Sequence, residues 1–112
     1  MKEMVIIIRP EKLEKVKQIM DHEKLGGISI SSVMGCGTQR GVEETEVQSA
    51  VPANLLPKIR VQIVLEDEKV EDIIARIRDE VATGHVGDGK IFVRDVEDAV
   101  RIRTGEHGNR AL

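Results

Sequence analysis

Aromatic side chains are almost absent from this chain: in 112 residues Phe92 is the only one, and there is no Trp or Tyr. That removes the stacking platforms on which single-stranded nucleic acids are held, and it leaves the core to Val, Ile and Leu packed in small pieces. Cysteine is equally scarce. Cys36 stands alone, so no internal disulfide staples the fold, which fits a reducing cytoplasm. No apolar run approaches the roughly 20 residues that span a bilayer, so no direct membrane insertion is expected. The stretch Met4–Ile8 is too short for a signal peptide, and charged residues follow it instead of a small-residue cleavage site; the expected location is cytoplasmic. A net charge of -3 with 33% charged residues provides no global basic field, which speaks against a nucleic-acid partner.

What is present is enough for one domain, residues 1–112, with 40% hydrophobic residues. A domain of this size buries about two-thirds of its unfolded surface, so an oligomer that hides more apolar area is a natural solution. Met4–Ile8 reads as a buried β-branched strand. Pro10 suits a first helical turn and Glu11 suits the dipole behind it. Leu13, Val16 and Met20 then recur at helical spacing, predicting an amphipathic helix over 11–24 that stops at Gly26-Gly27. Alternation over 28–33 predicts a second strand. Residues 35–55 lose all periodicity: glycines, then an acidic stretch with Glu43, Glu44 and Glu46, then Pro52. A loop of that length in a small domain is usually functional. Ile59, Val61, Ile63 and Leu65 mark a third strand, and Asp67 is placed to cap a helix carrying Val70, Ile73, Ile74, Ile77 and Val81 on one face. Lys90–Val93 reads as the fourth strand, Val96–Val100 as a helical turn, Arg101–Arg103 as a short extended piece, and 105–112 as a mobile polar tail. The order β-α-β, long loop, β-α-β predicts an α+β, ferredoxin-like βαββαβ domain: an antiparallel sheet with both helices on one face. The two halves form a structural pseudo-repeat with little similarity in sequence.

Chemistry concentrates in the glycine-rich stretch 82–90. Gly84-His85-Val86-Gly87-Asp88-Gly89-Lys90 matches the first seven positions of the Walker A pattern, but Ile91 stands where the Mg²⁺-binding Ser or Thr belongs. The stretch also leads from helix into strand, the reverse of the order that aims a helix dipole at phosphate. Glycines that let backbone N–H groups converge, with the charge of Lys90, still suit an anion; against this stands a tight connection whose glycines only turn the chain. Arg101 and Arg103, two apart on an extended piece, would face one ligand together, and with Lys90 they favour the anion site over a solvated, charge-protected edge.

Thr83-Gly84-x-x-Gly87-Asp88-Gly89-Lys90-Ile91-Phe92-Val93 and Val100-Arg101-Ile102-Arg103-Thr104-Gly105-Glu106 together resemble the signature of the PII nitrogen-regulatory signal transduction proteins. The resemblance extends over nearly the whole chain, through Ile8-Arg9-Pro10, Lys12-Leu13, Gly35-x-Gly37, Gln39-x-Gly41 and Leu56-Pro57-Lys58. It implies a homotrimer with ATP or ADP in clefts between subunits. Gly87, Asp88, Gly89 and Lys90 would hold phosphates from one subunit, and Arg101 and Arg103 would reach them from the next. Gly37 and Thr38 lie near the same phosphates, and Ser29, Gln62 and Val64 would meet the adenine side, Gln62 where the family often has Glu. It further implies 2-oxoglutarate bound beside ATP and Mg²⁺, with Gln39 toward the metal, the backbone of Arg40 and Gly41 receiving a carboxylate, and Lys58 pairing with it. The 37–55 loop would contact a protein target.

That loop departs from the family pattern. Thr38 replaces a frequent basic residue, Val51 stands at the modifiable tyrosine, and Val47 at the arginine that plugs an ammonium channel in some relatives. Tyrosine modification is thereby excluded, and an acidic loop suggests a basic or polar partner surface; Ser49, where some relatives are phosphorylated, reads as an exposed polar residue. His22, His85 and His107 show no metal spacing with Cys36, His85 reads as a solvent-facing turn residue, and Cys36 reads as packing at the loop root, with a thiol near an anion as the alternative. The expectation is a regulatory sensor and not an enzyme. The alternatives are a divergent sensor serving nitrogenase, carbon metabolism or transport, and, least favoured, a nucleotide phosphohydrolase with Asp88 as base and Lys90 as electrostatic stabiliser.

Overall fold

The computed structural model describes residues 1–36 and 55–112. Its strands are β1 (Lys2–Ile8), β2 (Ser29–Cys36), β3 (Leu55–Leu65) and β4 (Gly89–Asp95), with helices α1 (Leu13–His22) and α2 (Val70–Glu80). All three strand pairings are antiparallel and the order is β2-β3-β1-β4. The expected βαββαβ ferredoxin-like arrangement is therefore the fold.

Alternation decides which face is covered. Met4, Ile6 and Ile8 of β1 and Val61, Ile63 and Leu65 of β3 are buried against Val16, Ile19 and Met20 of α1 and Val70, Ile73 and Ile77 of α2. The opposite face carries Glu3, Ile7, Arg60, Gln62, Val64, Lys90, Phe92 and Arg94, set side by side by the register Ile7↔Arg60 and Ile7↔Lys90. Phe92, the lone aromatic, is 54% exposed on that open face.

Both helices begin alike. A 3₁₀ turn precedes each, at Pro10–Lys12 and Asp67–Lys69, and no side chain caps either. The helical region expected over 11–24 is thus a 3₁₀ turn followed by a shorter α-helix. Asp67 does not cap: its carboxylate takes the Met1 amino group at 2.8 Å. The pseudo-repeat does surface locally, since Glu11-Lys12-Leu13-Glu14 and Glu68-Lys69-Val70-Glu71 occupy the same place in the two halves.

Three further expectations are corrected after β4. Val96–Val100 is not helical; Val100 instead bridges His107. Arg101–Arg103 is not extended, because Ile102–Thr104 form a turn. The polar tail is folded: Gly108–Ala111 is a 3₁₀ turn. Asp98 explains the change, accepting from the N–H groups of Ala99 (2.9 Å) and Gly108 (3.1 Å) and from His107 Nδ1 (2.7 Å). The 37–55 loop, with Gly37, Thr38, Gln39, Arg40, Gly41, Glu43, Glu44, Glu46, Val47, Ser49 and Val51, lies outside the described residues, apart from Leu55, which begins β3.

Candidate functional site

The glycine-rich loop is built around one carboxylate. Asp88 Oδ2 accepts from the backbone N–H of Thr83 (2.8 Å) and Gly84 (3.0 Å), and Oδ1 accepts from the Thr83 hydroxyl (2.5 Å). Arg9 Nε stands 3.6 Å away. The Thr83 hydroxyl, then its backbone and that of Gly84, hold the Asp88 carboxyl down from 3.8 to about 2. Hydrogen bonds to the charged form have this effect. The N–H groups of Thr83 and Gly84 are spent on Asp88, and that of His85 on the Thr83 hydroxyl at 3.2 Å. Any backbone donors for an anion therefore come from the later half, Val86 to Lys90.

Two cations hold that later half from outside. Arg9 Nη2 donates to the Val86 carbonyl (2.8 Å) and Lys58 Nζ to the Gly87 carbonyl (2.8 Å). Lys58 is 9% exposed, and burial, then the neighbouring Arg9 charge, push its ammonium below its ordinary value. Arg9 Nε is itself buried without a hydrogen bond. Reading the sequence left Arg9 without a role; its signal was its place in Ile8-Arg9-Pro10, directly after β1.

Gly89 must be glycine. Its φ is +110°, and a Cβ there would lie 1.7 Å from the Ile7 carbonyl oxygen. The loop thus enters β4 by pressing its backbone on β1, in register Ile8↔Gly89, and this sets Lys90 beside Ile7 on the open face. Asp88, Gly89 and Lys90 line a cavity of about 390 Å³ shared with Ile7, Val81 and Arg78.

Ser29, Gln62 and Val64 meet elsewhere. They line a second cavity, of about 480 Å³, together with Gly27, Asn109 and Leu112. β2 begins at Ser29, opposite Gln62, whereas β3 continues to Leu65. Beyond Gln62, then, no described strand covers that edge of β3, and its backbone groups can bind a flat heterocycle edge-on. Gln62 is oriented by its neighbours: Nε2 donates to Glu3 (2.5 Å), and Oε1 accepts from Arg60 Nη1 (3.0 Å). Glu3 accepts only and Arg60 donates only, so the amide has one permitted orientation. The Gln62 amide, then Arg94, hold the Glu3 carboxyl below its usual range.

Arg101 donates from Nη1 to Glu106 (3.1 Å) and from Nη2 to the main-chain oxygen of Leu112 (3.1 Å); Arg103 is exposed. The turn breaks the i, i+2 geometry that put both guanidiniums on one side. Within one chain Ser29, Gln62 and Val64 line one cavity, and Asp88, Gly89 and Lys90 another. The histidines carry structural bonds, His22 with Arg76 Nη1 (2.8 Å) and His107 with Asp98, and His85 and Cys36 are exposed.

The fold and the site together are a ferredoxin-like βαββαβ domain with a glycine-rich α–β connection and an arginine pair downstream of it. The sequence model of the family described as nitrogen regulatory protein P-II matches residues 1–106, and this chain belongs to that family, whose members are regulatory signal-transduction proteins. It is 44% identical to nitrogen regulatory protein P-II 2 of Methanothermobacter thermautotrophicus, over all of this chain and 97% of that protein. It is 43% identical to nitrogen regulatory protein P-II of Rhizobium meliloti and 41% identical to that of Rhodospirillum rubrum, in both cases over the full length of each chain. No helix among the described residues is long and apolar enough to cross a membrane.

Proposed function

We propose that this chain is a homotrimeric PII sensor that binds ATP or ADP between subunits and controls a protein target of nitrogen metabolism through its 37–55 loop. The division of the site carries the reading. Ser29, Gln62 and Val64 line one cavity, beside a bare strand edge suited to a base, and Asp88, Gly89 and Lys90, which follow Gly87 in the loop suited to phosphate, line another. Each completes the other when two copies meet, with Arg101 and Arg103 reaching across. Exposed apolar side chains support such a contact: Ile102 is 100% exposed, Phe92 54% and Val100 52%. Asp88 serves as the loop's internal anchor, and the donors to phosphate are the backbone around Gly87 and Gly89 and the Lys90 ammonium.

Lys58 fits a dicarboxylate such as 2-oxoglutarate. Its buried ammonium has three donors and touches a neutral carbonyl, so an anionic partner would relieve its desolvation. Gln39 would help hold Mg²⁺, and the backbone of Arg40 and Gly41 would receive the same carboxylate that Lys58 pairs with. The metal would neutralise phosphate and carboxylate charge. A hydrolase using Asp88 as base loses support, because a carboxylate with a pKa of about 2 and three donors attached is a poor proton acceptor.

Titration calorimetry with ATP, ADP and AMP, each with and without Mg²⁺ and 2-oxoglutarate, tests the reading, with light scattering for the trimer. Lys90→Ala and Arg103→Ala should each weaken nucleotide binding by about 1.5–3 kcal/mol, the range for a charge-assisted hydrogen bond. Unchanged affinity in both variants places the phosphates elsewhere. ATP that fails to enhance 2-oxoglutarate binding favours the divergent sensor serving another circuit.

A further inference from the structure

We propose that Glu106 is a positioning residue for Arg101, and that the same guanidinium fastens the 108–111 turn as a wall of the base cavity; this rests on the nucleotide-binding reading above. The segment after β4 is a closed hairpin and not a free tail. Gly105, at φ +73°, turns the chain, and its N–H donates to the Arg101 carbonyl at 2.7 Å. The Arg101 N–H donates to the Glu106 carbonyl at 2.9 Å, and the Gly108 N–H to the Ala99 carbonyl at 2.9 Å. Within this frame the Glu106 side chain is itself aimed. Its Oε1 accepts from the Thr104 hydroxyl at 2.8 Å, while the Glu106 N–H donates back to that hydroxyl at 3.2 Å. The oxygen so held takes Arg101 Nη1 at 3.1 Å. Thr104-Gly105-Glu106 is thus a unit with a physical purpose: a turn whose carboxylate points one arginine.

A guanidinium has five N–H donors in a fixed fork. Glu106 and the main-chain oxygen of Leu112 use one on each terminal nitrogen, which leaves donors for an anion and removes the freedom the arginine would otherwise lose on binding it. Leu112 in turn lines the cavity of Ser29, Gln62 and Val64, with Asn109 and Ala111 beside it. The phosphate-reaching arginine and one wall of the base cavity are therefore parts of a single hydrogen-bonded piece.

The test compares ADP with adenosine, which lacks the phosphates, by calorimetry or NMR titration of the full chain. Glu106→Gln should raise the ADP Kd about fivefold, less than the roughly tenfold or more that losing a charge-assisted bond to the ligand itself would cause, because it acts through Arg101, and leave the adenosine Kd unchanged. In an Arg101→Ala background the same substitution should have no further effect. Thr104→Val, which frees the carboxylate without removing it, should raise the ADP Kd about twofold. A chain ending at Gly108 should weaken adenosine as well. If Glu106→Gln weakens ADP and adenosine alike, or still acts when Arg101 is gone, Glu106 only closes the hairpin and the inference is overturned. Unchanged adenosine affinity without 109–112 overturns the wall. If the wild type binds ADP and Glu106→Gln binds it equally, the inference alone fails; if the wild type binds no adenine nucleotide, the functional reading falls and takes the inference with it.

Discussion

Replacing Asp88 by Asn should cost stability at neutral pH and almost none in acid. In the native chain the carboxylate is held by the Thr83 hydroxyl and the N–H groups of Thr83 and Gly84, with Arg9 nearby, and titrates at about 2 instead of 3.8. At 1.36 kcal/mol per pH unit such a depression corresponds to about 2 kcal/mol favouring the folded state. The side chain is 24% exposed, so solvent screening brings this to about 1–2 kcal/mol. Because the folded value is the lower one, the stabilisation is complete above the unfolded value and disappears as pH falls from 3.8 towards 2. Asparagine keeps the shape and one acceptor oxygen but offers N–H groups where the loop also offers N–H groups. Urea denaturation at pH 7 should show the variant less stable by about 1–2 kcal/mol, roughly 4–8 °C in a thermal melt, and the gap should close by pH 2. A gap that is absent at pH 7, or that persists unchanged at pH 2, would refute the account of Asp88 as a charged anchor.

Gly89→Ala should be more damaging than an ordinary glycine substitution. The new Cβ meets backbone at 1.7 Å in a φ region closed to alanine, so β4 must part from β1; loss of more than about 2 kcal/mol is expected by denaturation, and a native-like melt would contradict the register. Gln62→Glu puts a second carboxylate against Glu3, where the amide nitrogen now lies 2.5 Å from its oxygen. One shared proton should then titrate above the ordinary carboxylate range. Since that proton is bound more tightly in the folded state, the variant should lose stability as pH rises from 4 to 8, and a flat melting temperature over that range counts against the contact. Ile6→Ala, at a fully buried position of β1, should cost about 2–5 kcal/mol in urea denaturation.

The sequence showed its fold wherever periodicity and burial coincide. The strand containing Val61, Ile63 and Leu65 and the helix containing Val70, Ile73 and Ile77 were legible because each buries one face. β3 was read too short because Pro57 and the half-exposed Leu55 and Leu56 lack alternation; their place comes from pairing with Cys36, Gly35 and Met34, a long-range contact invisible locally. The segment after β4 misled for the opposite reason. Val96, Ala99 and Val100 fit helical spacing, yet Asp98 binds two N–H groups and His107 to tie a hairpin. Local side-chain bonds of this kind compete with helix formation. The glycine loop was legible as a turning helix-to-strand connection, but the division of its bonds was not: that Asp88 consumes the early N–H groups, and that Arg9 braces the Val86 carbonyl, follows only from geometry.

Ile102 draws these threads together. It is fully exposed between two arginines, in a chain so short of large apolar side chains that it keeps one aromatic. The turn over 102–104 presents it outward, while Arg101 is drawn inward to Glu106 and Leu112. A single exposed isoleucine needs no explanation by itself. Here it stands beside Arg103, which on the proposed reading would reach out of its own subunit to the glycine loop of the next. In the proposed trimer the neighbour that receives Arg103 also covers Ile102, so burial would supply at the boundary the affinity that a lone exposed cation lacks. The base cavity, the arginine hairpin and the apolar tip then belong to one subunit, and Gly87 to Lys90 to the next. On that division the site closes only when the subunits do.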